Sequence, residues 1–298
     1  MYTALQPFLR SERIPLRLRK KVGKMIRLES GVSFEIEVLG AQYRGRTGHH
    51  IDNKVYLYGR HEAPTLRLIR HIAQSKKAAS SAPFTYVDVG VNSGLHLVCG
   101  AAVSDFAYGF EPWIPMVETA QKNLDHNQFK HATLFPFGLS DEDATLPYMP
   151  PAGTNLGIGS FVKGDEGQTQ AIKDITGASY DDTIALTVRN GDAVMQESGI
   201  VPNLIKIDTE GFEKPVLTGL RATLAAHRPH VIFEYSSLSR KDFPDMQAVQ
   251  DMFPENYGFY GILPSRENPK LKPFLPHKRY ENILAYPLED AAFFAEML

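Results

Sequence analysis

Residues 85–94 read Thr85-Tyr86-Val87-Asp88-Val89-Gly90-Val91-Asn92-Ser93-Gly94. A β-rich run carrying an acidic residue near its end stops at a glycine, and small residues fill the turn. The apolar stretch Leu95–Val103 then follows as a helix candidate. Gly90 and Gly94 lack the Cβ atoms that would keep a ligand away from the backbone. A helix beginning after Gly94 aims free amide groups, and the positive end of its dipole, at such a ligand. The spacing is not the G-x-G-x-x-G of a dinucleotide turn, because Asn92 stands where the second glycine would be.

The alternation continues outward from this turn. Ala107–Phe110, Thr133–Phe137, Leu204–Ile207 and Val231–Phe233 read as strands, and Tyr257–Leu263 and Asn282–Tyr286 as two more. Ile114–Asn127 reads as a helix with Ile114, Val117, Ala120 and Leu124 on one face. A second helical face runs through Val216, Leu217, Leu220 and Leu224. This pattern predicts a doubly wound, mostly parallel α/β sheet of seven strands with helices on both faces. Such sheets bind ligands outside the carboxyl ends of their strands. Upstream, Phe34–Tyr58 reads as short strands punctuated by glycines, Pro64–Gln74 as a helix, and Lys76–Pro83 as a linker. Residues 144–182 read as an insertion, hairpin-like and then polar, of the size of a lid or substrate loop. The chain thus divides into an N-terminal extension over 1–80 and an α/β domain over 81–298.

Carboxylates gather at the predicted strand ends. Glu111 closes the second strand, where it can accept hydrogen bonds from both hydroxyls of a ribose. Pro112 suits a helix start, and Trp113, the only tryptophan, suits either an adenine or the core. Asp208 closes the fourth strand, with Glu210 and Glu213 behind it, and Glu234 closes the fifth. Three acidic residues within six exceed what a helix dipole asks for. Asp208 and Glu234 at neighbouring strand ends also raise a divalent metal, which would acidify an acceptor hydroxyl. No third ligand is evident, so no metal is expected. His49, His50, His61 and His96 are near enough in order to act as bases, with His96 best placed. The plainer reading makes them ordinary helix and loop histidines.

The turn D-x-G-x-N-x-G has the spacing of class I methyltransferases. With it stand the FEP of residues 110–112, the FGLSD of 137–141, the run KIDTEGFEKPVLTGL from Lys206 and the VIFE of 231–234. In this order the five motifs resemble an FkbM-type methyltransferase over about residues 84–235. Val91 for the usual alanine and Thr209 for the usual valine are small departures. Asp192 resembles the aspartate preceding the family's fourth strand. Asn155, Gly157 and Ser160 resemble its asparagine- and serine-containing insertion. The resemblance implies a class I methyltransferase fold and S-adenosylmethionine as cofactor, held by Asp88, Gly90, Asn92, Gly94, Glu111, Pro112, Trp113, Gly138, Leu139 and Asp208. It implies Asn155 and Ser160 as acceptor contacts. The activity implied is O-methylation of a hydroxyl on a small molecule, sugar, glycan or natural product. Asp208, Glu210 and Glu234 are the candidates for taking the acceptor's proton and facing the sulfonium, with Asp208 preferred as base or orienting group.

Composition closes off other classes. The 298 residues carry a net charge of −2, which gives no global attraction to nucleic acid. A single cysteine, Cys99, excludes a disulfide framework and multi-cysteine metal sites. No apolar run is long enough to span a bilayer and no signal peptide is evident, which reads as cytoplasmic. Residues 1–30 carry a net +6 and leave −8 on the rest. This basic segment reads either as a helix packed on the domain or as a contact with anionic membrane. The second option supports an alternative function, a non-catalytic membrane-peripheral binding protein on a methyltransferase fold.

Overall fold

The computed structural model describes residues 2–150, 159–161, 183–263 and 267–298. Helices α1 (Tyr2–Arg10) and α2 (Leu16–Gly23) open the chain. The antiparallel hairpin β1 (Ser33–Val38) and β2 (Ala41–Arg46) follows, then helices α3 (His50–Tyr58) and α4 (Ala63–Ala79). The expected strands are present in the hairpin and absent after it. Ile51, Val55 and Tyr56 favour a strand locally, yet residues 50–58 are helical. Asp52 sits in the helix's first turn, and Gly59 closes it in the left-handed conformation with φ +79°. α4 also runs on through part of the stretch expected to be a linker, as far as Ala79.

The alternating region supplies β3 (Thr85–Val89), α5 (Leu95–Ala101), β4 (Phe106–Phe110), α6 (Ile114–His126) and β5 (Ala132–Phe135). A second, four-stranded sheet comprises β6 (Gly138–Ser140), β7 (Ala144–Met149), β8 (Ser160–Phe161) and β9 (Ile184–Asn190), in the order β6-β9-β7-β8. Then come α7 (Gly191–Glu197), β10 (Leu204–Ile207), α8 (Glu213–Gly219), α9 (Arg221–His227), β11 (His230–Glu234) and α10 (Met246–Gln250). The chain closes with β12 (Tyr257–Ile262), β13 (Leu271–Pro273), β14 (Asn282–Pro287) and a 3-10 segment over Leu288–Met297.

The main sheet runs β13-β12-β14-β11-β10-β3-β4-β5. It has eight strands where seven were expected. β5, β4, β3, β10 and β11 are mutually parallel, while β14 is antiparallel to both β11 and β12. The extra strand is β13, antiparallel to β12 at the edge. Its Lys272 and Pro273 make it look like loop, but Leu271 is buried and anchors it.

Every residue of β3 and of β10 is buried, as strands covered on both faces must be. On one face Tyr86, Leu204, Ile232 and Leu284 pack against Leu68, Ile69 and Ile72 of α4. On the other, Val87, Ile205, Val231 and Phe233 pack against Val216, Leu217 and Leu220. Register pairs Lys206 with Asp88, on the same face as Leu204 and Tyr86. The centre of the sheet therefore carries a buried lysine and a buried aspartate side by side on this face.

The basic N-terminal segment packs on this body. Leu9 is fully buried. Arg19, also fully buried, donates to Ile14 O at 2.9 Å and Leu9 O at 3.1 Å and pairs with Glu267. Arg10 donates to Tyr56 O at 2.8 Å, and Glu12 accepts from Arg67 at 2.6 Å. No helix among the described residues is long and apolar enough to cross a membrane.

Candidate active site

A cavity of about 320 Å³ opens at the carboxyl ends of β3, β4, β10 and β11. Its floor is the Gly90–Ser93 turn, with Glu111, Pro112 and Trp113 on one side and Asp208, Thr209, Glu210 and Glu234 on the other. Asn92 adopts φ +51° and Gly90 φ +84°, which folds the chain sharply after β3.

Both glycines make room for neighbouring protein, and Gly90 also lines the cavity. A Cβ on Gly90 would lie 1.9 Å from the carbonyl oxygen of Asp208. A Cβ on Gly94 would lie 3.0 Å from Ala120 Cα. Their missing side chains thus make room for protein backbone. Gly90 lets the turns after β3 and β10 touch, and Gly94, which is not on the cavity lining, lets the turn meet α6.

Glu111 ties the turn to the neighbouring strand. Its Oε2 accepts from the Asn92 amide and its Oε1 from the Trp113 amide, both at 2.9 Å. Each oxygen keeps a further lone pair for a ligand hydroxyl. Burial pushes its carboxyl up to about 7, against the two amides that favour the charged form. Trp113 is half-buried on the cavity wall, 6.5 Å from Tyr148 ring to ring.

Across the cavity, Lys206 Nζ donates to Asp208 Oδ2 at 2.9 Å and lies 3.8 Å from Asp88 Oδ1. Lys206 is 1 % exposed and Asp88 0 %. Burial opposes the ammonium, but Asp208, Asp88 and Glu62 together hold it above its ordinary value. Burial pushes Asp88 up to about 7 in spite of Lys206. Sequence reasoning gave Lys206 no role. The signal was present, since a lysine between two isoleucines of a buried strand is anomalous without partners.

The turn after β10 is held from behind. Glu213, fully buried, accepts from the Thr209 amide and hydroxyl at 3.0 Å and the Gly211 amide at 3.2 Å. Ser160 donates to Glu210 O at 2.7 Å. Ser160 therefore pins the Glu210 peptide and is not on the cavity lining, unlike its neighbours Gly159 and Phe161. Glu210 takes φ +52° and is thereby folded back over the cavity. The outcome is a third carboxylate beside Asp208 and Glu234. One oxygen from each lies within 4.8 Å of the others, where the sequence had shown only two. Burial pushes Glu210 and Glu234 well above the carboxylate range, with repulsion from Asp208 adding at Glu210 and repulsion from Glu210 and Asp208 adding at Glu234.

A further wall comes from the N-terminal extension. His50, Lys54, His61 and Glu62 line the cavity beside His96. Glu62 lies 3.6 Å from His61 Nε2 and 3.5 Å from His96 Nε2. Burial pushes both histidines well below their ordinary value, so they stay neutral, and it pushes Glu62 up to about 7. No motif marked Glu62 or Lys54. The Tyr43 hydroxyl bonds Asp52 at 2.6 Å and Ser93 at 2.7 Å, which links β2 and α3 to the glycine turn.

Other expected site residues lie elsewhere. Gly138 and Leu139 are in β6 of the second sheet and are not on the cavity lining. Asp192 accepts from the Ala222 and Thr223 amides at 2.8 Å and so caps α9. Asn155 and Gly157 lie outside the described residues. His49 is not on the lining. Cys99 is buried and donates weakly to Val38 O.

The family model for the methyltransferase FkbM domain matches residues 88–260, more than half of the chain. The chain belongs to the methyltransferase FkbM domain family. No curated protein matches the chain. Among solved structures, it is similar to methyltransferase FkbM from Methylobacillus flagellatus, at 18% identity and a TM-score of 0.43. That match covers 68% of this chain and 43% of the other, so the chain spans less than half of that protein's length. A SAM-dependent methyltransferase from Agrobacterium tumefaciens is similar at 7% identity and a TM-score of 0.46, over 89% of this chain and 72% of the other. The family assignment rests on the match over 88–260.

An FkbM-domain cavity built this way responds to pH. In an unfolded chain Asp88 would ionise near its reference value of about 3.9. Its raised folded value means that the native state holds an extra proton between about pH 4 and pH 7, so its contribution to stability falls as pH rises through that window. The buried neutral histidines act in the opposite sense, so the test is a difference. Relative to wild type, Asp88→Asn should gain Tm as pH rises from about 5 to 8. Scanning calorimetry reads this, and parallel pH profiles for the two proteins would contradict it.

Proposed function

We propose that the protein transfers the methyl group of S-adenosylmethionine to a hydroxyl oxygen of a small-molecule or glycan acceptor. The observation that carries the reading is the convergence of Asp208, Glu210 and Glu234 opposite Glu111 in one cavity. Glu111 is oriented by two amides and offers lone pairs to a ribose. Trp113 and Pro112 flank an adenine beside it. The carboxylate rim complements a cationic ligand, since the cavity's buried ammonium, Lys206, already has partners in Asp208 and Asp88.

When bound, S-adenosylmethionine supplies an electrophilic methyl group on a positively charged sulfur. Lys206 fixes the orientation of Asp208 through Oδ2. Asp208 Oδ1 then accepts the proton of the acceptor hydroxyl. Glu210 and Glu234, the latter with Oε2 buried without a hydrogen-bond partner, line the reacting centre, where a bound sulfonium would draw them toward their ionised forms. A non-catalytic protein on this fold would bind the cofactor without turnover.

Two measurements test the reading. Glu111→Ala should weaken S-adenosylhomocysteine binding by about 1.5–3 kcal/mol, because hydrogen bonds to a charged group are lost. Unchanged calorimetric affinity would remove the ribose from Glu111. Incubation with labelled methyl donor and a panel of hydroxyl acceptors, with the linkage read by mass spectrometry, tests the oxygen. A methylated nitrogen or carbon would refute that part.

A further inference from the structure

A second cavity, of about 780 Å³, adjoins the first and shares His50, Lys54, His61, Glu62 and Glu234 with it. On the reading above, the shared wall is where donor and acceptor meet, so the second cavity holds the body of the acceptor. Its charges are unlike those of the first. Lys20, Lys24, Lys54, Arg60, Arg240 and Arg279 line it, against Glu62, Glu234, Glu267 and Glu281.

The carboxylates do not offset these cations. Glu62 and Glu234 sit at the inner end, and burial favours their neutral forms. Glu267 is occupied by the buried Arg19 and by Arg60, the latter at 3.2 Å. Glu281 lies close enough to Lys54 and Glu62 to act on both, which leaves Lys24, Arg240 and Arg279 on the rest of the lining. In a protein with net charge −2, this is a local reversal of sign.

Arg240 is prepared for an anion. Its guanidinium lies 4.9 Å over the ring of Tyr235, which fixes the plane of its donors. Its Nε is buried and meets no acceptor among the described residues. A planar guanidinium with an open donor, backed by two further cations, matches phosphate geometry. A single carboxylate would leave much of this charge uncompensated, whereas a phosphomonoester or diphosphate carries about two charges near neutral pH.

We infer that the methyl acceptor carries a phosphate or diphosphate group, seated in the second cavity by Arg240, Arg279 and Lys24. This rests on the methyltransferase reading and adds the chemical class of its acceptor. The phosphate locates the acceptor, and its hydroxyl reaches the shared wall. The group could belong to a soluble sugar phosphate or to a lipid headgroup, since both present the same oxygens.

The test is calorimetric titration of inorganic pyrophosphate into the full chain saturated with S-adenosylhomocysteine. Saturable binding is expected, weakened about tenfold or more in Arg240→Ala and Arg279→Glu. Arg279 is exposed, so its charge reversal probes the site even if Arg240→Ala does not fold. S-adenosylhomocysteine affinity should stay within about twofold in both variants, since neither residue lines the first cavity. Absent binding, equal binding by Arg279→Glu, or competition between pyrophosphate and S-adenosylhomocysteine would each overturn the inference and leave the methyltransferase reading standing. Failure of wild type to bind S-adenosylhomocysteine would instead remove the reading beneath it. Repeating the titration with a sugar 1-phosphate and with monomeric short-chain phosphatidic acid assigns the source. The tighter of the two names it, and equal affinity means that the phosphate alone is recognised.

Discussion

Gly90→Ala should abolish S-adenosylhomocysteine binding and lower stability by about 3 kcal/mol or more. Two costs add. An alanine at φ +84° pays about 1–2 kcal/mol for the left-handed conformation. Its Cβ would then stand 1.9 Å from Asp208 O and 2.8 Å from Asp208 C, backbone atoms with no rotamer to give way. Neither turn can withdraw cheaply. The Gly90 amide bonds Phe110 O at 2.9 Å, and the Asp208 amide bonds Val89 O at 2.9 Å. Relief therefore breaks sheet hydrogen bonds or displaces the carboxylates. Gly94→Ala is the milder comparison, with its nearest contacts at 3.0 and 3.1 Å on Ala120. Urea unfolding and calorimetry on both variants read the difference. Wild-type stability with intact binding in Gly90→Ala would mean that the two turns do not touch as described.

Asp208→Asn is expected to cost about 10²–10⁴-fold in kcat, the usual share of general-base catalysis. The amide keeps the size of the carboxylate and can still accept from Lys206, but it cannot take a proton. S-adenosylhomocysteine affinity should change little, because Glu111, Asn92 and Trp113 lie on the other wall. Stability needs a parallel measurement, since Lys206 is 1 % exposed and would rely more heavily on Asp88. A lower Tm with unchanged kcat would make Asp208 a partner for Lys206 and nothing more. A metal at the three carboxylates predicts another pattern, in which a chelator abolishes wild-type turnover and magnesium restores it.

Much of this site was legible because strand ends carry local signatures. A β-rich run followed by an acidic residue or a glycine marks the carboxyl edge, and Gly90, Glu111, Asp208 and Glu234 all fall there, whereas Asp88 is buried inside β3 and off the lining. What the sequence does not display is contact between distant segments. Lys206 stands out in an apolar strand, but only register sets it beside Asp88. Glu62 has no motif, and only the packing of α4 against the sheet brings it to His96. Gly94 and Ser160 sit in recognisable patterns, yet their partners are Ala120 and the Glu210 peptide. Residues 50–58 were misread because β-branched and aromatic side chains favour a strand locally, while burial of Val55 and Leu57 on the body favours the helix.

The wall contributed by α3 and its neighbours bears on how such a protein can diversify. Most of the first cavity's lining outside the shared wall lies between residues 90 and 113 and at 206–210, within the family match, whereas the second cavity draws many of its residues from 20–64, upstream of it. On the proposed function, donor chemistry and acceptor preference are thus encoded in largely separate stretches of the gene. The N-terminal stretch can drift, or be exchanged by recombination, with the sulfonium-facing carboxylates left in place. Its freedom is bounded by the Tyr43–Ser93 hydrogen bond, which any replacement must reproduce to keep the glycine turn in register.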